Sequence, residues 1–357
     1  MKHAKRGYIL FLLFSILSVC TVLISLYFSQ VMVYRQLMKV LITKEKTNRL
    51  ALSSMSFVQA LLTPEEEKNK APTLPAPGAQ EVKLSPDQKL LIQLFDCWNK
   101  EQSYQLTSKD DGFDAKIAQS VQSEQGKLNL NSLFDFEKKK FLFEGTAKDR
   151  KKLAVWIFEK IATVTKKPNL FAPFEKYLST RNFDFNDVTE LLSIKEFADA
   201  FASNTFISFE ESGTNNQAGA QPKSNQIKIF LTDIFTVSTE QDTINPWLFS
   251  PSWCTILDLK PKQTLSEEER KKIFAQISKT SSWETDWNKN LKDFYQKEYK
   301  DLAQEIKTIL TTEFEANIFS LLLKANIGET NSTIFTIVKT RAKDNLMQFD
   351  ILKTYQI

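Results

Sequence analysis

The chain has 357 residues, with 47 basic and 43 acidic side chains, 8 Gly, 11 Pro, 3 Cys and a single His, a length that suits two or three domains with real cores. That histidine is His3, so imidazole-based nucleophile systems and His-ligated zinc or haem have no imidazole in the body of the chain. The scattered glycines form neither G-x-G-x-x-G nor a P-loop, against nucleotide-driven chemistry, and Lys2, Lys5 and Arg6 carry three of the four net charges, leaving no basic field for nucleic acid.

Residues 7–34 contain no charged side chain, and Tyr8 to Phe28 is nearly all Leu, Ile, Val and Phe. As a helix that run spans about 30 Å, the hydrocarbon thickness of a bilayer. Basic residues precede it and Arg35 is the first charge beyond it, so the positive-inside rule predicts a cytoplasmic N-terminus and an exported body. Bulky Leu26, Tyr27 and Phe28 stand where a cleaved signal needs small residues. A lipoprotein signal at Cys20 is opposed by Val19 and by the apolar sequence that continues past it. An ordinary signal anchor is the simple alternative. No Gly or Pro occurs between Gly7 and Pro64, which predicts one helix from Tyr8 to about Leu62. Ala51, Ser54, Met55, Val58, Leu61 and Leu62 share a face of it and should dock on a globular body.

Thr63 to Gln88 holds five of the eleven prolines and reads as an exposed linker. Phe113 to Val121 alternates as a strand, and Glu124 to Leu133 reads as a strand, a glycine turn and an Asn-rich edge. From Ala147 to Phe206 the period is helical, with Leu153, Trp156, Ile157 and Ile161 on one face and Val188, Leu191, Leu192 and Phe197 on another. Glu210 to Asn225 has loop composition, and Ile227 to about Thr239 alternates as a strand. Ser266 with Glu269, and Ser281 with Glu284, have capping-box spacing. The stripe Trp283, Trp287, Leu291, Phe294, Leu302, Ile306 and Leu310 reads as core. Residues 317–327, 332–341 and 346–352 predict an antiparallel meander turning at Gly328.

Basic residues, a glycine, then an apolar helix continuing as an amphipathic one is an arrangement that resembles type IV prepilins and type II secretion pseudopilins. The segment Gly126, Lys127, Leu128, Asn129, Leu130, Asn131, Ser132, Leu133, with an acid just before it, is similar to a motif of K-type minor pseudopilins, the general secretion pathway protein K family. Ile244 and Asn245 match a second family motif, although Trp247 replaces its second Asn, which puts the local capping in doubt. The resemblance implies an α+β fold: a long N-terminal membrane helix as pilin stalk, then a pilin-like antiparallel sheet with a large helical insertion. Expected boundaries are a leader at 1–7, the transmembrane half of the stalk at 8–30, its amphipathic half at 31–62 and the Pro-rich linker at 63–88. The first part of the pilin-like domain follows at 89–140, the helical insertion at 141–225, a strand segment at 226–243, a second helical subdomain at 244–312 and the meander at 313–357.

It also implies cleavage by a prepilin peptidase between Gly7 and Tyr8. Leu12 would then be the fifth residue, where most pilins carry the glutamate that neutralises a neighbour's terminal amine. Its absence fits a subunit at the filament tip. The expected function is a minor pseudopilin that caps the type II secretion pseudopilus and helps to initiate its assembly, without performing a reaction. Its expected partners are other minor pseudopilins, the peptidase and the inner membrane, crossed once with the body periplasmic. The alternatives are a type IV pilus minor pilin and a signal-anchored periplasmic enzyme using carboxylates. Asn129 and Asn131 read as scaffold, because Asn commonly bonds local backbone in turns. Cys97 and Cys254 allow a disulfide in an oxidising compartment, with two buried thiols as the equal alternative. Asp110, Asp111 and Asp114 are spaced like oxygen ligands and calcium occurs in the family, but Lys109 adjoins them and no Asp-x-Asp-x-Asp-Gly loop exists, which favours a solvated turn.

Overall fold

The computed structural model describes residues 3–62, 101–108, 113–208, 228–261, 283–311, 315–343 and 346–357. The linker at 63–88, Cys97, Asp110, Asp111, the loop at 210–225 and both Ser residues of the expected capping boxes lie outside them. Helix α1 (His3–Ser53) and helix α2 (Met55–Leu62) run almost end to end. The expected single helix is interrupted once, at Ser54, whose buried hydroxyl donates to the Ala51 carbonyl at 2.6 Å and tightens one turn. Ala51, Ser54, Val58 and Leu62 are buried and Met55 and Leu61 half-buried, so the expected docking face is the docked face.

That face lies on a five-stranded antiparallel sheet ordered β1-β2-β7-β8-β9, with β1 Gln102–Ser108, β2 Phe113–Ser123, β7 Ile318–Ile327, β8 Thr330–Lys343 and β9 Leu346–Gln356. The meander was legible in its period-two pattern, and Gly328 supplies the positive φ of 56° at its first turn. The edge strand β1 was not anticipated. Because side chains alternate across a sheet, Phe319, Leu321, Leu323, Ile334 and Val338 join the core beneath the helix, while Ile318, Leu322, Phe335 and Ile337 form a second cluster on the opposite face. Phe206 of the helical insertion seals that second cluster, its ring 5.2 Å from Phe335 and 5.1 Å from Tyr355. The middle of the sheet, β7 and β8, is therefore covered on both faces, between the stalk and the insertion.

The insertion is a set of short helices on an aromatic core. Helix α3 (Arg150–Thr165) starts at Asp149, whose carboxylate accepts the N–H groups of Lys151 and Lys152 at 2.9 and 3.2 Å. Phe158 from α3 meets Phe174 of α4 (Phe171–Thr180) at 5.0 Å and Phe197 of α5 (Lys195–Phe201) at 5.6 Å. A capping box is present, formed by Asp187 and Glu190. The expected strand from Ile227 is corrected: Leu231–Ile234 is a helical turn, α6, and the strand shrinks to β6 (Phe235–Thr236), parallel to β3 (Leu128–Asn129), while β4 (Phe134–Asp135) and β5 (Lys140–Phe141) form a separate antiparallel pair. Leu231, Thr232, Asp233, Ile234 and Phe235 are all buried, and where burial is all-round, alternation carries no information about the backbone. Farther on, helix α7 (Pro251–Ile256) and the region from Trp283 to Lys307 pack as short turns, with Trp287 stacked on Tyr295 at 5.7 Å. The expected stripe is core at Trp287, Leu291, Phe294, Leu302 and Ile306, and Leu310 is half-buried.

The expected turn at Gly126 is present, and the structure supplies the reason for its glycine. Gly126 sits in a 3-10 turn (Glu124–Gly126), without positive φ, and a Cβ there would lie 1.5 Å from the Leu248 carbonyl oxygen. Glycine is needed for close approach, not for a turn. Gly126→Ala should therefore destabilise the head by about 3 kcal/mol through overpacking against rigid backbone, measurable as a lowered urea midpoint at unchanged slope.

Candidate functional site: an uncovered helix and a buried polar knot

The motif residues assemble where the insertion meets the sheet. Lys127 is buried, and its Nζ donates to Glu124 Oε1 at 2.5 Å and to Ser320 Oγ of β7 at 2.9 Å. Glu124 Oε2 accepts the Thr236 hydroxyl at 2.5 Å. One ammonium thus ties the sheet to the insertion. Asn129 Nδ2 donates to the Thr239 carbonyl at 2.5 Å, and its Oδ1 accepts the Asn131 N–H at 3.0 Å. Asn131 donates to the Phe185 carbonyl at 2.9 Å and accepts the Phe185 N–H at 2.7 Å, replacing a strand's pairing with a side chain. Both asparagines bond backbone groups, and Leu130 is core.

The second motif meets the first. Asn245 N–H donates to the Gln125 carbonyl at 3.0 Å, and Asn245 Oδ1 caps the Trp247 N–H at 2.9 Å. The doubt raised by Trp247 is resolved at the capping level: Asn245 still caps, while Trp247 is buried. Ile244 pairs with Leu310 through a parallel bridge that closes the second helical region.

Three polar elements escaped the sequence, two of them because their partners are distant in the chain. Asp233 is fully buried; Oδ2 accepts the Ser252 N–H at 2.7 Å and Oδ1 has no hydrogen-bond partner. Burial pushes this carboxyl up, with the Lys127 charge opposing. Asp187 accepts the Tyr355 hydroxyl and lies 3.5 Å from Lys353 Nζ, pinning the insertion to β9. Burial works to raise its carboxyl, but the Tyr355 hydroxyl, the Thr189 N–H and hydroxyl and the Lys353 charge hold it below the usual range. Arg181 donates to Tyr177, to the Phe183 and Asp184 carbonyls and to Glu190, with its guanidinium 4.5 Å from the Phe185 ring centre.

Apart from Asp233 Oδ1, these groups are engaged within the fold, and Asp187 and Tyr355 line a small cavity together with Glu124 and Lys353. Asp114 stands in β2 opposite Thr107, while Asp110 and Asp111 lie outside the described residues. Among the described residues no three His, Cys, Asp or Glu side chains converge as metal ligands. Cys254 is a free, buried thiol, raised by burial and by Asp233.

The exposed counterpart is the stalk. Among the described residues the helical run Phe11–Leu62 is long and apolar enough to cross a membrane, with a window of mean hydropathy 2.4 and none of that window buried. Gly7 and Tyr8 lie in the first turns of α1. From Phe11 to Ile42 large apolar side chains stand open on every side of the helix, Phe11 at 71% and Val40 at 60%.

Two outcomes follow from the buried pairs. Lys127→Met, which strands the Glu124 charge, should cost about 3–5 kcal/mol, whereas the Glu124→Gln/Lys127→Met double variant should recover part of it in a thermal-unfolding cycle. The depressed Asp187 carboxyl contributes stability above the ordinary carboxylate pKa, and that contribution is lost as pH falls through its lower folded value. Stability should thus fall as pH drops below about 4, and Asp187→Asn should flatten that limb of the pH profile.

No family model matches the sequence, and no curated protein matches it. Among solved structures, a chain in the crystal structure of the GspK-GspI-GspJ complex from the type 2 secretion system of enterotoxigenic Escherichia coli is similar at 12% identity and a TM-score of 0.42, over 90% of this chain and 97% of that one.

Proposed function

We propose that this chain is a K-type minor pseudopilin of a type II secretion system, anchored by its processed N-terminal helix and placed at the tip of the pseudopilus. The observation that carries the reading is the helix itself. One nearly continuous helical run is apolar and uncovered at its start, then packs as a layer against the sheet at Ala51 to Leu62. A plain signal anchor needs no such structural continuity. The Gly126 to Leu133 segment supports the same reading, because each residue that resembles the family motif has a definite structural task.

In this reading the helix waits in the inner membrane, with the head in the periplasm, and packs against the helices of other minor pseudopilins. Lateral packing covers the apolar surface that the head leaves open. The head carries a helical insertion on the sheet face opposite the stalk, which broadens it beyond what a repeated subunit allows. With Leu12 at the expected fifth position, no carboxylate is available to neutralise the amine of a subunit above it. Nothing stacks above, and the chain caps and helps to initiate the filament. It performs no reaction; calcium, if held by Asp110, Asp111 and Asp114, would be structural.

The expected mature protein begins at Tyr8. Mass spectrometry of the membrane-extracted chain should find this terminus, and Gly7→Leu should block the cut and leave the leader attached. A mature start after Ser29, or retention of Met1 in a functional protein, would remove the reading's main support. Recovery of the full-length chain from membranes should bring other membrane-anchored pseudopilins with it in few-copy stoichiometry.

A further inference from the structure

The stalk has a stretch that neither a bilayer nor the head accounts for. Hydrocarbon of about 30 Å takes up some 20 helical residues, roughly Tyr8 to Phe28. Deep burial against the head begins at Thr47. Between them, Val31 to Lys46 extends over about 24 Å, with Leu37, Met38, Val40, Leu41 and Ile42 exposed. Apolar surface of that extent outside lipid marks an interaction site.

Its charges are one-sided. From Val31 to Leu62 the sequence holds Arg35, Lys39, Lys44, Lys46 and Arg49 against one acid, Glu45, and Glu45 is already engaged by Arg49 at 2.8 Å. At about 100° per residue, Arg35, Lys39 and Lys46 fall within roughly 40° of one another, with Val31, Met38 and Ile42 beside them, while Lys44 points the opposite way. The same face forms a shallow concavity whose lining includes Met38, Lys39 and Ile42. No ion pair engages Arg35, Lys39 or Lys46 among the described residues.

We infer that this stripe docks an acidic helix of a neighbouring membrane-anchored subunit, with carboxylates facing Arg35, Lys39 and Lys46 and apolar side chains facing Val31, Met38 and Ile42. The inference rests on the functional reading above and names the partner's chemistry at the contact. A lipid headgroup is the competing anion, but the headgroup layer ends within roughly 8 Å of the hydrocarbon. Lys46, eighteen residues past Phe28, stands about 27 Å beyond it. Only Arg35 is within reach of phosphate. The rest of the stripe needs a partner that rises alongside the stalk, and an acidic helix does.

The test is zero-length carbodiimide coupling, which joins lysine amines to carboxylates in contact, on the full-length protein in its native membranes. Peptide mapping should find Lys39 and Lys46 amide-linked to Asp or Glu of a membrane-anchored neighbour, and Lys44, on the far side, not linked to the same helix. Lys39→Arg should lose its adduct yet keep the partner, whereas Lys39→Glu/Lys46→Glu should lower partner recovery about tenfold. Partners that co-purify without such adducts, and unchanged by the charge reversal, would overturn the inference and leave the functional reading standing. Absence of any membrane-anchored partner with the wild-type chain would overturn both. If the charge reversal instead abolishes binding to phosphatidylglycerol vesicles while partner recovery is unchanged, the stripe serves lipid and the acidic-helix inference falls.

Discussion

A single buried ammonium holds the head together. Lys127 reaches back three residues to Glu124 and across 193 residues to Ser320, while Glu124 in turn holds Thr236. An unpaired charge at that depth would cost far more than a neutral polar group. Every element that meets there is consequently fixed in register: the end of β2, the start of β7 and the strand fragment β6. Asp233 adds a second carboxyl near one cation already bound to Glu124, and burial favours its neutral form. The knot specifies how the insertion sits on the sheet rather than adding much to stability.

Around that point the two faces of the sheet divide the labour. One face carries the stalk and continues its core, through Phe319, Leu321 and Leu323. The other carries the insertion, sealed by Phe206 and pinned at the rim by Asp187 and Tyr355. In the proposed tip subunit, a load on the stalk passes through the sheet to the insertion by packed side chains and backbone pairing, with no mobile joint required. The tightened turn at Ser54 lies within the docked region, where the sheet braces it.

Much of this was legible in the sequence wherever a pattern was one-sided. The stalk's docking face, the α3 face at Leu153, Ile157 and Ile161, and the C-terminal meander all show a period that matches their burial. Legibility fails where burial is complete or partners are remote. The stretch from Ile227 begins with a strand-like alternation, yet Leu231 to Ile234 is α6, since every side chain there is buried. Gly126 was readable as a special residue, but the reason, the Leu248 carbonyl against its Cα, belongs to a chain segment 122 residues away. Asp233, Asp187 and Tyr355 look like surface polar residues in isolation. Strand β1, Gln102 to Ser108, does alternate, with Tyr104 and Leu106 on its half-buried face, but two apolar residues among polar ones make too short a pattern to announce a strand.

The sheet's strand order sets when the head can form. β2 pairs with β7, Ala115 opposite Ile327 and Ser123 opposite Phe319, so the centre of the sheet joins segments some two hundred residues apart. Closing so long a loop is slow, and a chain made from its N-terminus presents β1 and β2 well before their partner exists. Until β7 arrives, β2 is paired only with β1 and leaves its other edge open beside an apolar helix, which is an aggregation hazard. Completion of the sheet therefore waits on β7, β8 and β9, which together supply the pairing that the open edge of β2 lacks.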